Sequence, residues 1–158
     1  MFKSYSTIAE AIKKQVKVLR WFDLDKGQLD DPERYNSIIT PGILIGNSEI
    51  TWSQGSSRAQ IGDGTVTVKL VLRLPAQTHL TEPLLFENLK ALELGDSIDD
   101  AVQNVPGVLS RTKYRDYPVD SFYVVEQTFL VQYKKERTYS LKTVSLKINP
   151  QLVNPNES

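Results

Sequence analysis

The stretch Thr65-Val66-Thr67-Val68-Lys69-Leu70-Val71-Leu72-Arg73-Leu74 decides the fold. Val66, Val68, Leu70, Leu72 and Leu74 fall on one face, and Thr65, Thr67, Lys69 and Arg73 on the other, with Val71 the one exception. Side chains alternate along a strand, so the pattern predicts a β-strand with one side on a core and the other largely wetted. Just ahead of it, Asp63-Gly64 within Ile61-Gly62-Asp63-Gly64 reads as a tight turn. The earlier segment Pro41-Gly42-Ile43-Leu44-Ile45-Gly46 opens a second strand reaching about Trp52, and its unbroken apolar start predicts burial on both faces. The polar connection Gln54-Gly55-Ser56-Ser57-Arg58-Ala59-Gln60 makes the two a long hairpin, with a flexible loop expected over 53–63.

Outward from the hairpin, two helical patterns flank it. Ile8, Ile12, Val16 and Leu19 recur at helical spacing over about 6–20, opened by Thr7-Ile8-Ala9-Glu10 as a capping box. Lys13, Lys14, Lys17 and Arg20 lie mostly off that stripe, as a solvated face or as a contact surface for an acidic partner. Leu85, Leu89, Leu92, Ile98, Val102 and Val105 mark a second helix over about 83–104. Gly95-Asp96 kinks or splits it, Asp96-Ser97 caps its second half, and Pro106-Gly107 closes it. Two strands follow. Leu109–Asp116 carries the charged alternation of a sheet edge, Tyr117-Pro118-Val119-Asp120 turns the chain, and Phe122–Tyr133 is aromatic and β-branched enough to be central. Residues 139–148 alternate out of phase after Val144, which suits an arm that pairs elsewhere, and the end 154–158 is polar.

The expected class is therefore α+β: a mixed, mainly antiparallel sheet of four to five strands with two amphipathic helices packed on one face. One domain spans 1–137, followed by a C-terminal strand or arm over 138–158. A chain of 158 residues suffices for one sizeable core. Lys plus Arg balance Asp plus Glu at 19 each, so no overall field recruits nucleic acid or anionic lipid. The absence of cysteine removes disulfides, thiolate metal sites and thiol nucleophiles. No run of about 18 apolar residues is present, and the start reads as no signal peptide.

The search for chemistry returns little. Asp23 and Asp25 precede Gly27, with Asp30 and Asp31 beyond, a spacing one ligand short of a calcium loop and interrupted by Pro32. A solvated acidic turn is the simpler reading, and ion binding at these four stays open. Gly62 and Gly64 precede a strand and lack a following Lys-Ser/Thr, unlike a phosphate loop. His79, the only histidine, has no imidazole partner and no nucleophile elbow, and reads as a loop residue. Asp116 and Glu126 are the strand carboxylates near basic residues, and nothing sets them opposite each other. No catalytic, cofactor or metal site is expected. Trp21, Trp52 and Tyr114 suggest an alternative: a groove in a monomeric small-ligand or peptide-binding module.

The segment Trp21-Phe22-Asp23-Leu24-Asp25-Lys26-Gly27-Gln28-Leu29 resembles one in prophage-encoded tail proteins of the Bacteroidetes. The likeness continues in Pro41–Ile45, the strand 64–74, and Ser110-Arg111 ahead of the strand 121–133. Together with the element order, it resembles the tail-terminator and neck-type family of tailed phages over residues 5–135, the tail 138–158 extending past it. The resemblance implies a structural protein without catalysis, a homo-oligomeric ring with a hexamer as the expected size. Such a ring joins other tail or head–tail proteins, assembles in the host cytoplasm and ends in the virion. Contacts are expected from the hairpin loop at Gln54, Arg58 and Gln60, and from the edge strand at Arg111, Lys113 and Arg115. Neither nucleic acid nor membrane is an expected partner.

Overall fold

The computed structural model describes residues 2–55, 59–73 and 90–136. The elements are α1 (Phe2–Gln15), β1 (Trp21–Leu24), two short 3-10 turns (Gln28–Asp30 and Pro32–Ser37), β2 (Gly42–Gln54) and β3 (Ala59–Leu72). A 3-10 turn (Ala91–Glu93) then leads into α2 (Leu94–Gln103), β4 (Val108–Val119) and β5 (Phe122–Glu136). The strands form one mixed sheet in the order β1-β2-β3-β5-β4, parallel between β1 and β2 and antiparallel elsewhere. The opening stretch thus supplies the central strand. As expected, β5 lies inside the sheet, and β4 is the outermost of the described strands on that side.

Both helices pack on one face. Ile8 and Ile12 of α1, then Val16, meet Ile98, Ala101 and Val102 of α2 over Ile43, Ile45, Val66, Val68, Leu70, Leu72, Val125, Phe129 and Val131. Burying each such side chain is worth about 1.5–3 kcal/mol. Gln127, buried in the same layer, ties the layers together by donating from Nε2 to the Gly95 carbonyl at 2.8 Å, while its Oε1 finds no partner among the described residues. At Gly95 a Cβ would sit 3.3 Å from Val125, so the glycine lets α2 lie close on the sheet.

The opposite face is not simply wetted. Leu44, Val71, Phe122 and Val124 form a second cluster beneath Leu29 and Ile38, with Tyr35 and Trp21 around it. The segment between β1 and β2 folds back as a small cover. Gly27 turns it at φ 76°, and buried Gln28 donates to the Leu24 carbonyl at 2.8 Å and to Asp23 at 3.1 Å. Val71, the exception to the alternation, is the β3 residue under that cover. Ile43 and Ile45 face the helices and Leu44 the cover, which is why the start of β2 is apolar on both sides.

Several boundaries differ from expectation for local reasons. α1 begins at Phe2 and ends at Gln15, so Thr7 and Glu10 lie inside the helix and form no terminal box. Lys13 and Lys14 occupy its last turn, where cations suit the helix dipole. The hairpin strands reach Gln54 and Ala59, leaving only 55–58 between them in place of a loop over 53–63. Asp63-Gly64 makes no turn, because Gly62 and Gly64 sit within β3 opposite Trp52 and Ile50. A Cβ at Gly62 would lie 2.8 Å from the Trp52 ring, and one at Gly64 2.9 Å from the Ile50 side chain. The glycines are seats for two cross-strand side chains.

α2 starts at Leu94 without a side-chain cap, so Asp96 and Ser97 sit in its first turn and do not cap it. Tyr117, Pro118 and Val119 remain in β4, and the reversal is made by Asp120 (φ 48°) and Ser121. β5 continues past Tyr133 to Glu136. Arg58, Leu74, His79, Leu85, Leu89 and the arm 138–158 lie outside the described residues.

Candidate functional site

The strongest polar constellation lies on the face away from the helices, beside the second cluster. Strand register places Leu44, Lys69, Glu126 and Arg115 in one row across β2, β3, β5 and β4. Asp25, just past β1, reaches Lys69 Nζ at 2.6 Å. Lys69 stands 3.9 Å from Glu126, whose two oxygens accept from Arg115 Nε at 2.8 Å and Nη2 at 2.9 Å. Tyr117 donates to the same carboxylate at 3.0 Å. The result is an alternating chain of charge: Asp25, Lys69, Glu126, Arg115. It staples the cover segment to β3 at one end and the edge strand to β5 at the other.

Glu126 is 5% exposed. Burial alone pushes its carboxyl up, but the hydrogen bonds from Arg115 and Tyr117 and the charges of Arg115 and Lys69 outweigh burial and hold it below the ordinary carboxylate range. Arg115 is raised in turn, chiefly by its hydrogen bond to Glu126. Burial and the bond to Glu126 push the Tyr117 hydroxyl up to about 12. A carboxylate this fully bonded and this firmly ionised is a poor proton acceptor near neutral pH. Its chemistry here is that of a clamp.

Asp116, the carboxylate paired with Glu126 in the sequence reading, points to the helix side of the sheet. There Tyr123 donates to it at 2.6 Å, and that bond, then burial, push the tyrosine up to about 12. Asp116 and Glu126 are thus on opposite faces and share no substrate space. Three of the four aspartates of the acidic turn take separate partners. Asp23 accepts from Leu24 N–H, Lys26 and Gln28, Asp25 takes Lys69 and the Gly27 N–H, and Asp31 pairs with Arg34 and caps the following turn. For Asp23, burial raises the carboxyl, yet its bonds and the Lys26 charge bring it below the usual range. Among the described residues no group of three or more His, Cys, Asp or Glu is placed to hold a metal.

The aromatic groove does not assemble. Trp21 packs around the second cluster at the β1 edge, Trp52 lies over Gly62 near the hairpin end, and Tyr114 stands on β4 at the other edge. A depression lined by Ile8, Val105, Gly107, Val131 and Tyr133 offers about 10 Å³, room for roughly one water.

The proposed contact residues fall into two groups. Gln54 and Gln60 face each other as the last pair of the hairpin, at the rim of the sheet. Arg111, Lys113 and Arg115 are all on the edge strand but not on one face. Arg111 turns to the helix side, paired with Asp99 of α2 at 3.0 Å and lying 5.6 Å over the Tyr114 ring, whereas Lys113 and Arg115 turn the other way. The register shift between Arg111 and Lys113, which leaves Thr112 extra in β4, causes the split. The sequence reading placed Lys69 on a wetted strand face and Asp25 in an acidic turn, and missed that the two pair with each other. No helix among the described residues is long and apolar enough to cross a membrane. The chain matches no protein-family model, and no characterised protein is similar to it in sequence.

Proposed function

We propose that the protein is a structural component of phage or prophage tail assembly, of tail-terminator or head–tail joining type, that acts through homo-oligomeric ring contacts and catalyses no reaction. The observation that carries this reading is the pairing of a fully clamped set of charges with a sheet whose two ends have no strand partner among the described residues. Among the described residues, β4 pairs only with β5, and β2 beyond Ile45 pairs only with β3. Unpaired strand edges are the surfaces through which sheets join other chains. The charged groups of this face hold strands and cover in place. The phage-family resemblance of the sequence supplies the setting, with tail and neck proteins as further partners and the virion as destination.

Size-exclusion chromatography with light scattering, and electron microscopy of the peak, test it. A closed ring of several copies is expected, alone or on adding a phage tail-tube protein. A single copy at every concentration, with and without that protein, would overturn the reading.

A further inference from the structure

We infer that copies of this chain join head to tail, the outer edge of β2 over Ile50–Gln54 receiving the outer edge of β4 from the next copy. The inference rests on the homo-oligomeric reading above and names its two surfaces.

The two edges differ in kind. β4 carries the devices that keep an edge from pairing with its own likeness: Lys113, Arg115, Pro118 and two register shifts. Turning a second copy round a two-fold axis to lay the middle of β4 on itself sets Lys113 or Arg115 opposite Lys113 or Arg115, and like charges directly opposite destabilise a sheet. The outer part of β2, Ile50-Thr51-Trp52-Ser53-Gln54, has no charge and no proline. Gly55 N–H donates to the Ala59 carbonyl across the hairpin. Alternate residues of an antiparallel strand bond the same neighbour, so Thr51 and Ser53 also turn their backbone groups to β3. Those of Ile50, Trp52 and Gln54 point outward, toward whatever lies beside β2.

The topology then fixes how unlike edges meet. β2, β3, β5 and β4 are each antiparallel to the next, so β2 and β4 run in opposite directions. Rotating a copy about an axis along the strands preserves both direction and face. Its β4 therefore arrives antiparallel to β2, with every pair of helices on the same side of the joined sheet. On that side each edge shows one half-exposed aromatic ring, Trp52 at 46% and Tyr114 at 48%, and head-to-tail joining brings the two together. On the other side Lys113 and Arg115 meet Thr51 and Ser53, with no like charges opposed. Joining of this kind uses the two edges that are unpaired among the described residues, and closes into a ring where the rotation permits.

The chain has no cysteine, which makes the test direct. Ser53→Cys and Lys113→Cys alter exposed positions on the same sheet face, and circular dichroism verifies that each variant folds. Mixing the two single variants with a short bifunctional thiol reagent, tolerant of a two-residue slip, should give a cross-linked pair. The double variant should give a ladder of covalent multimers, and each single variant alone none. Self-cross-linking of Ser53→Cys without a mixed product would mean β2 meets β2 and would overturn the inference. Self-cross-linking of Lys113→Cys without one would overturn it likewise. A wild-type oligomer by light scattering with no cross-link in the mixture would sink the named surfaces and spare the homo-oligomeric reading. A wild type that never exceeds one copy would sink both.

Discussion

The two faces of the sheet are held by different physics. Under the helices, Val66, Val68, Leu70, Phe129 and Val125 form a dry layer sealed by Ile8, Ile12, Ile98 and Val102. On the other side a small apolar patch, Leu44, Val71 and Val124, is flanked by the charge row from Asp25 to Arg115. The dry face gains from area and close packing, which are non-directional and set by volume. The charged face gains little net energy for the desolvation it suffers, but fixes which strand lies beside which. The difference teaches where each kind of change is felt. Volume matters above the sheet and partnership matters below it.

The sharpest way to break the comparison is to make a hole above. Phe129→Ala, at a fully buried position, should cost about 3–5 kcal/mol in urea unfolding. A loss under about 1 kcal/mol would mean that the helices do not seal this face.

Glu126→Ala comes next, at about 1–3 kcal/mol. The cost falls short of that for a wholly buried pair, because Arg115 is half-exposed and Lys69 keeps Asp25. Here pH separates charge from packing. The folded-state carboxyl of Glu126 lies below its ordinary value of 4.5, so the stability it adds is fully present above that pH and is lost as the pH falls through the lower folded value. The gap between wild type and Glu126→Gln should therefore be flat from neutral pH down to about 4.5 and close below it. A gap that persists unchanged into strong acid would show that shape, not charge, holds this row.

Gly62→Ala tests the seat of Trp52. The added Cβ meets the indole ring at 2.8 Å. A loss of about 1–2 kcal/mol is expected, with Trp fluorescence shifted to the red as the ring is pushed into water. Unchanged emission would mean that the ring rests elsewhere.

How much of this was legible beforehand depends on whether the signal was local. The alternation of β3 reads straight off Val66, Val68, Leu70 and Leu72, and the double burial of Ile43–Ile45 off its lack of alternation. Both are one-strand patterns. The second cluster was not legible, since Leu29 and Ile38 sit in a segment without periodicity and find Val71 only after the chain folds back. Val71 itself was the hint, an apolar side chain on a face otherwise polar. The charge row was invisible for a similar reason, as Asp25, Lys69, Glu126 and Arg115 come from four separate segments and only register aligns them. Gly62 and Gly64 were misread because a glycine before a strand and a glycine under a neighbour's indole look the same in one dimension. The edge basics were found, but the bulge at Thr112 that splits Arg111 from Lys113 and Arg115 leaves no mark in composition.

That split supports the finest test of the comparison, since it puts one edge arginine on each face. Arg115 on the charged face has a buried carboxylate, two parallel hydrogen bonds and a tyrosine beside it. Arg111 on the helix face has one contact with Asp99, a residue of α2 that is mostly buried, and a ring beneath it. Both side chains reach water, so screening keeps each modest. Bidentate geometry and a desolvated acceptor still favour the first. Arg111→Ala should cost about 0.5 kcal/mol, and Arg115→Ala more than that, in paired cycles with Asp99→Ala and Glu126→Ala. Equal coupling energies would mean that the burial of Glu126 adds nothing, and that the charged face is held by its small apolar patch alone.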